Sequence, residues 1–213
     1  MSRYETEEEQ VEAIKTWWKK NGTQALGLLL VGVIAFSGWR YWTNTQYVSS
    51  ANASSLYEIL QMNAQQGSFG EVSREALKLM QEQPNSPYAV GAAMLYAKYS
   101  LEKGEAEEAL TQLNWVTTHA KDFQLKNAAH LTIARVQIDL KAFDKARESL
   151  SALTKANLQG AEKANLDYVT GLVALAESKE GEARAAFTSV ISNIKAEKSL
   201  MGLAQMQLDD LAQ

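Results

Sequence analysis

The chain has 213 residues, a formal net charge of −4, no cysteine and only two prolines. Disulfides and thiolate metal sites are excluded outright, and nucleic-acid binding has no electrostatic footprint. Ala, Leu, Glu, Lys and Gln dominate and only Pro84 and Pro87 interrupt them, so an all-α protein is expected.

Residues 1–20 open on an acidic stretch. Thr6-Glu7-Glu8-Glu9 has the form of a capping box, and Val11, Ile14, Trp17 and Trp18 recur at helical spacing. Acids lead and lysines follow, which suits the helix dipole. The pattern predicts a short amphipathic helix on the cytoplasmic face of a membrane, running into the next element.

No charged residue occurs between Lys20 and Arg40. At about 1.5 Å per residue this run covers most of a hydrocarbon core about 30 Å thick. Trp17 and Trp18 precede it, and Trp39, Tyr41 and Trp42 follow it, where amphipathic rings favour the headgroup level. Residues 21–42 are therefore read as a single transmembrane helix. Arg3, Lys15, Lys19 and Lys20 lie before it, whereas only Arg40 follows before Arg74. That asymmetry predicts a cytoplasmic N-terminus, with the remainder outside the cytoplasm. Ala51-Asn52-Ala53 resembles a signal-peptidase site, but it lies well beyond Phe36 and the leading segment is acidic, so an uncleaved signal anchor is the reading adopted. Gly27, Gly32, Ala35 and Gly38 fall within one arc of this helix and would let a neighbouring helix approach.

Residues 43–213 hold 20 acids and 16 bases and are long enough for one domain with its own core. Val48 to Gln65 is expected to begin that domain. Alanines then recur in a frame. Ala97, Gly104, Ala106, Ala109 and Leu113 are matched by Ala134, Lys141, Phe143, Ala146 and Leu150. A further copy runs Ala174, Gly181, Ala183, Ala186 and Val190, and a weaker one Ala64, Glu71, Ser73, Ala76 and Met80. The copies start 33, 37 and 40 residues apart. This is the layout of a degenerate tetratricopeptide-like array of helix pairs A and B. Ser86-Pro87 supplies a helix start. Leu200, Leu203, Ala204, Leu208 and Leu211 form an apolar stripe, read as a C-terminal capping helix.

No catalytic set emerges. His119 and His130 are eleven residues apart, there is no HExxH, nucleophile elbow or phosphate loop, and Glu105, Glu107 and Glu108 read as a solvated helix start. No cofactor or metal is expected. A concave A-helix face would receive Met94, Lys98, Leu101, Leu131, Arg135, Ile138, Tyr168 and Leu175. Its mostly apolar character, with two cationic points, suits extended peptides or a partner helix.

The blocks Glu8 to Lys15, Trp17 to Gly22 and Gly38 to Trp42 resemble the YfgM-type ancillary subunit of the SecYEG translocon. The resemblance implies a single-pass bacterial inner-membrane protein with its large domain in the periplasm. It further implies association with SecYEG and with the membrane-anchored periplasmic chaperone PpiD, in handling unfolded polypeptides as they leave the channel. The family brings no catalytic residues. A regulatory role through a cytoplasmic response regulator is also associated with it, for which Glu5 to Glu12 would be the exposed segment. The alternative from the residues alone is an envelope-assembly scaffold of another membrane complex.

Overall fold

The computed structural model describes residues 7–155 and 158–212. Among these residues the structure consists of helices, turns and loops, with no strand. The helices are α1 (Glu7–Gln65), α2 (Phe69–Glu82), α3 (Pro87–Glu102), α4 (Ala106–His119), α5 (Phe123–Asp139), α6 (Phe143–Lys155), α7 (Gly160–Ala176), α8 (Glu180–Ser192) and α9 (Lys198–Asp210). Two compact units divide at Asn52 and Ala53. The capping-box Thr6 lies outside the described residues.

In the first unit, α1 is the one described helix long and apolar enough to cross a membrane. Its large apolar side chains are exposed from Leu26 to Phe36, so no protein core accounts for them. In lipid a helix satisfies every backbone group internally, which makes it the form such a run takes. The Trp18 ring lies over Gly22, 3.3 Å from where a Cβ would stand.

The second unit is built on a strict period. Gly67, Gly104, Lys141 and Ser178 all have positive φ, and each stands 37 residues after the last. Each ends a helix with the same pair of bonds. Gly104 N–H donates to Leu101 O (3.0 Å) and Glu105 N–H to Ser100 O (2.8 Å). Lys141 and Ala142 donate to Ile138 and Gln137, Ser178 and Lys179 to Leu175 and Ala174, and Gly67 and Ser68 to Ala64 and Asn63. This is the Schellman cap, in which a left-handed residue turns the backbone toward the orphan carbonyls of the last turn. Four A helices therefore end in register: the stretch of α1 from Ala53, then α3, α5 and α7. Their B partners are α2, α4, α6 and α8.

The period corrects the alanine frame at both ends. In the fourth repeat the first marker is Gly171, not Ala174, and the turn residue is Ser178, not Gly181, which lies inside α8. In the first repeat the marker is Leu60, not Ala64. The middle two copies keep the expected frame, with Ala97, Ala109, Ala134 and Ala146 all buried. A search for alanine misses the ends because the residue at the marker position changes size along the array.

Among the described residues, three apolar clusters fill the interior. The first joins Ala53 and Leu60 to α2, α3, α4 and the start of α5, with Leu79, Val90 and Val116 buried in it. The second gathers Leu150, Leu153, Leu166 and Val169, and the third gathers Tyr168, Phe187, Val190, Leu200 and Ala204. Ser86 caps α3 as its sequence suggests, accepting from Tyr88 N at 3.2 Å, with Pro87 in the first turn. α9 begins 38 residues after α7, as an A helix would, and covers the open end of the fourth repeat. Leu200, Ala204, Leu208 and Leu211 pack there, whereas Leu203 is 46% exposed and falls off the packed stripe.

One polar contact ties the third repeat to the fourth. Arg147 on α6 donates through Nε to Glu177 at the end of α7 (2.8 Å) and reaches Glu182 on α8 (3.3 Å). The Arg147 hydrogen bond is the main cause holding the Glu177 carboxyl below its usual range. Because the folded-state pKa is depressed, the contact stabilises the fold above the ordinary glutamate range and is lost as pH falls through the lowered value. Arg147→Gln is expected to lower the melting temperature at pH 7. The gap from the parent protein should close as pH drops through the acid range, followed by circular dichroism; a gap independent of pH would reject the assignment.

Candidate partner-binding surfaces

In the first unit, Lys15, Lys19 and Lys20 are exposed ahead of the apolar stretch. Trp17, Trp18, Trp39, Tyr41 and Trp42 are all more than half exposed, at the two ends of that stretch. Gly27, Gly32, Ala35 and Gly38 are exposed too, and a Cβ built on any of the three glycines would meet nothing within 4 Å.

In the second unit, the 37-residue period sorts the predicted A-helix residues into three equivalent positions. Met94, Leu131 and Tyr168 share one, Lys98 and Arg135 a second, and Leu101, Ile138 and Leu175 a third. Their burial differs. Lys98 is exposed, with Glu102 3.7 Å away, and Arg135 is exposed with no ion-pair partner among the described residues. Met94 and Leu101 lean on the first cluster, Leu131 and Ile138 on the second, and Leu175 on the third. Tyr168 is only 8% exposed, its ring 5.7 Å from that of Phe187, so it is core and presents little surface.

Leu131 and Arg135 come together with residues that periodicity alone did not flag. They line a cleft of about 410 Å³ between α5 and α7. Gln124, Asn127, Ala128 and Thr132 continue the α5 wall, and Ala161, Glu162 and Asn165 form the α7 wall, with Leu158 at the end. Asn127 is 5% exposed, and its amide Nδ2 has no hydrogen-bond partner. Asn165 differs, since its Nδ2 already donates to Ala161 O at 3.0 Å. The alanine frame overlooked Asn127; the strict period is the signal that finds it.

The titratable groups elsewhere have structural explanations. His119 stacks on Trp115, with centroids 4.0 Å apart and planes at 6°. Burial, and secondarily the charge of Lys126, holds His130 below its ordinary pKa, so it is neutral near pH 7. Glu108 accepts from Gln112 at 2.7 Å. Burial, then the hydrogen bond to Glu108, pushes the Tyr96 phenol up to about 12. Part of the acidic cluster is thus tied into the packing rather than merely solvated. Among the described residues no group of three or more histidine and acidic side chains is gathered as metal ligands would be.

A membrane-length helix followed by helix pairs on a fixed period, with a cleft between two of the A helices, defines a helical-repeat protein. The model of the tetratricopeptide repeat-like domain matches residues 15–213. The chain belongs to that family, as a YfgM-type member. Proteins similar to it carry the name ancillary SecYEG translocon subunit. The Escherichia coli K12 protein is 33% identical over 72% of this chain and 73% of its own length. The Haemophilus influenzae protein is 31% identical over 85% of this chain and 86% of its own. The Neisseria gonorrhoeae protein is 23% identical over 99% of this chain and 100% of its own.

Proposed function

We infer that the protein is a non-enzymatic, membrane-tethered subunit working beside the SecYEG translocon. The observation that carries this reading is the similarity, along most of the sequence, to proteins bearing that name. The one membrane-length helix and the repeat fold support it. Residues 1–20 would lie in the cytoplasm, 21–42 would span the bacterial inner membrane, and 43–213 would stand in the periplasm. The basic flank at Lys15, Lys19 and Lys20 supports that orientation. With the periplasmic chaperone PpiD, the array would receive polypeptides leaving the channel.

The mechanism is one of effective concentration. A tether that holds a weak binding surface next to the exit site raises the local concentration of that surface to about the millimolar range, without any new contact. The small-residue arc at Gly27, Gly32, Ala35 and Gly38 would face a helix of the partner complex. A photo-crosslinking residue placed at Gly32 or Gly38 in native membranes is expected to give adducts with a translocon subunit or the chaperone. Adducts confined to another envelope complex would favour an assembly scaffold, and the absence of translocon and chaperone adducts would overturn the proposal.

A further inference from the structure

We propose that α9 pairs antiparallel with α9 of a second copy of this chain, through the face that an A helix ordinarily gives to its B partner.

The argument starts from the register of α9. It begins 38 residues after α7, and the same offset matches their packing. Leu166, Val169 and Val173 of α7 pack into the second cluster, against the third repeat. Their equivalents in α9 are Ala204, Gln207 and Leu211, one buried and two half-buried, on the side turned to the fourth repeat. α9 is thus an A helix in register. In α7, the side turned to the B helix holds it through three residues. Asp167 accepts from the Ser189 hydroxyl at 2.8 Å, and Tyr168 and Gly171 lie against the Phe187 ring. The equivalents in α9 are Gln205, Met206 and Asp209. All three are exposed, with no helix against them among the described residues. Gly202, equivalent to the buried Ala164, is exposed as well, and Met206 is more than half exposed.

The chemistry of this face selects its occupant. Lys198, Gly202, Gln205, Met206 and Asp209 recur at helical spacing along one side of α9. Lys198 stands at one end, and Asp209 with Asp210 at the other. A parallel pair would bring the aspartates of both copies together, at helix ends whose partial charge is also negative. An antiparallel pair sets Lys198 of each copy beside Asp209 and Asp210 of the other, twice over by two-fold symmetry. In the same register Met206 of each copy lies over Gly202 of the other. A Cβ at Gly202 would meet nothing within 4 Å, so the glycine leaves room for the longer side chain. Leu203 borders the contact and is nearly half exposed. Bulk against space and positive against negative are both matched by one rotation, which is the signature of a self-complementary surface. A pair of 13-residue helices is a small contact for a stable dimer in solution. Two copies anchored in one membrane meet at a much higher effective concentration, and the strength of the pairing rests on that anchored reading.

The test exploits the absence of cysteine from the chain. Gln205→Cys places a thiol beside the two-fold axis. In native membranes treated with copper phenanthroline, the full-length variant is expected to give a disulfide-linked species of twice the monomer mass, whereas Asn114→Cys, exposed on α4, is not. Adding Lys198→Asp turns two attractive contacts into two repulsive ones and should cut the yield about fivefold. Adding Asp209→Lys and Asp210→Lys to that variant should restore it. Circular dichroism should show equal melting temperatures, because every altered side chain is exposed. No homodimer from Gln205→Cys, adducts only with another protein, a yield indifferent to Lys198→Asp, or no recovery on the full charge exchange would each overturn the proposal. Crosslinking from Gly32 to the translocon is read independently, so the two readings fall separately.

Discussion

Gly171→Ala will destabilise the repeat domain more than its single methyl group suggests, and Phe187→Leu will restore much of the loss. A Cβ at Gly171 would stand 2.6 Å from the Phe187 ring, and that ring is fully buried. It cannot swing into solvent, so the methyl must displace packed neighbours, at a cost of about 1–3 kcal/mol. The period explains why the pair is matched. The residues equivalent to Gly171 and Phe187 are Ala97 with Leu113, Ala134 with Leu150, and Leu60 with Ala76, all of them buried. As the first residue grows from glycine to leucine, the second shrinks from phenylalanine to alanine. The double substitution writes the pair of the second and third repeats into the fourth. Urea unfolding of both single variants and the double should show coupling, with the double less destabilised than the sum. Strict additivity would mean that the two positions do not share one volume.

This exchange of volume also shows what could be read from the sequence and what could not. The all-α class, the membrane-length helix and the two middle repeats were legible, because apolar periodicity and the Ala97/Ala109 and Ala134/Ala146 pairs are local signals. The end repeats were displaced by three or four residues, because a frame built on alanine follows residue type. What the fold keeps constant is the summed size of two residues and a left-handed turn. Lys141 and Ser178 adopt that turn without being glycine, so composition does not reveal it. The A-helix positions were identifiable from spacing, but the burial of Tyr168 depends on the opposite Phe187, which lies on another helix. Asn127 stands out only after the repeats are aligned by their turns.

A fragment starting at Ala53 is expected to fold cooperatively, and one starting at Gln66 is not. The stretch from Ala53 to Gln65 is the first A helix. Ala53 and Leu60 are fully buried, Leu56, Tyr57 and Ala64 pack against the same cluster, and the Tyr99 hydroxyl donates to the Ala64 carbonyl. Gly91 fits beneath the Tyr57 ring, 3.1 Å from where a Cβ would lie. Losing one buried leucine costs about 2–5 kcal/mol, and losing the whole helix strips Val72, Ala76 and Leu79 of cover as well. Set against a typical total of about 5–15 kcal/mol, the shorter fragment should be unfolded or show an unfolding midpoint far below that of the longer one. Far-ultraviolet circular dichroism with urea titration decides the matter. Equal midpoints would remove α1 from the array.

The recurring turn every 37 residues also governs how the domain can assemble. Helices A and B of one repeat are neighbours in sequence, and so are the B helix of one repeat and the following A helix it packs against; the α5–α7 contact spans one period. Every closure is therefore short, and low contact order goes with fast folding. Nothing near the C-terminus is required to complete the first repeat. A polypeptide delivered from its N-terminal end can settle one helix pair at a time, each finished pair offering a template for the next, with α9 closing the last exposed face on arrival.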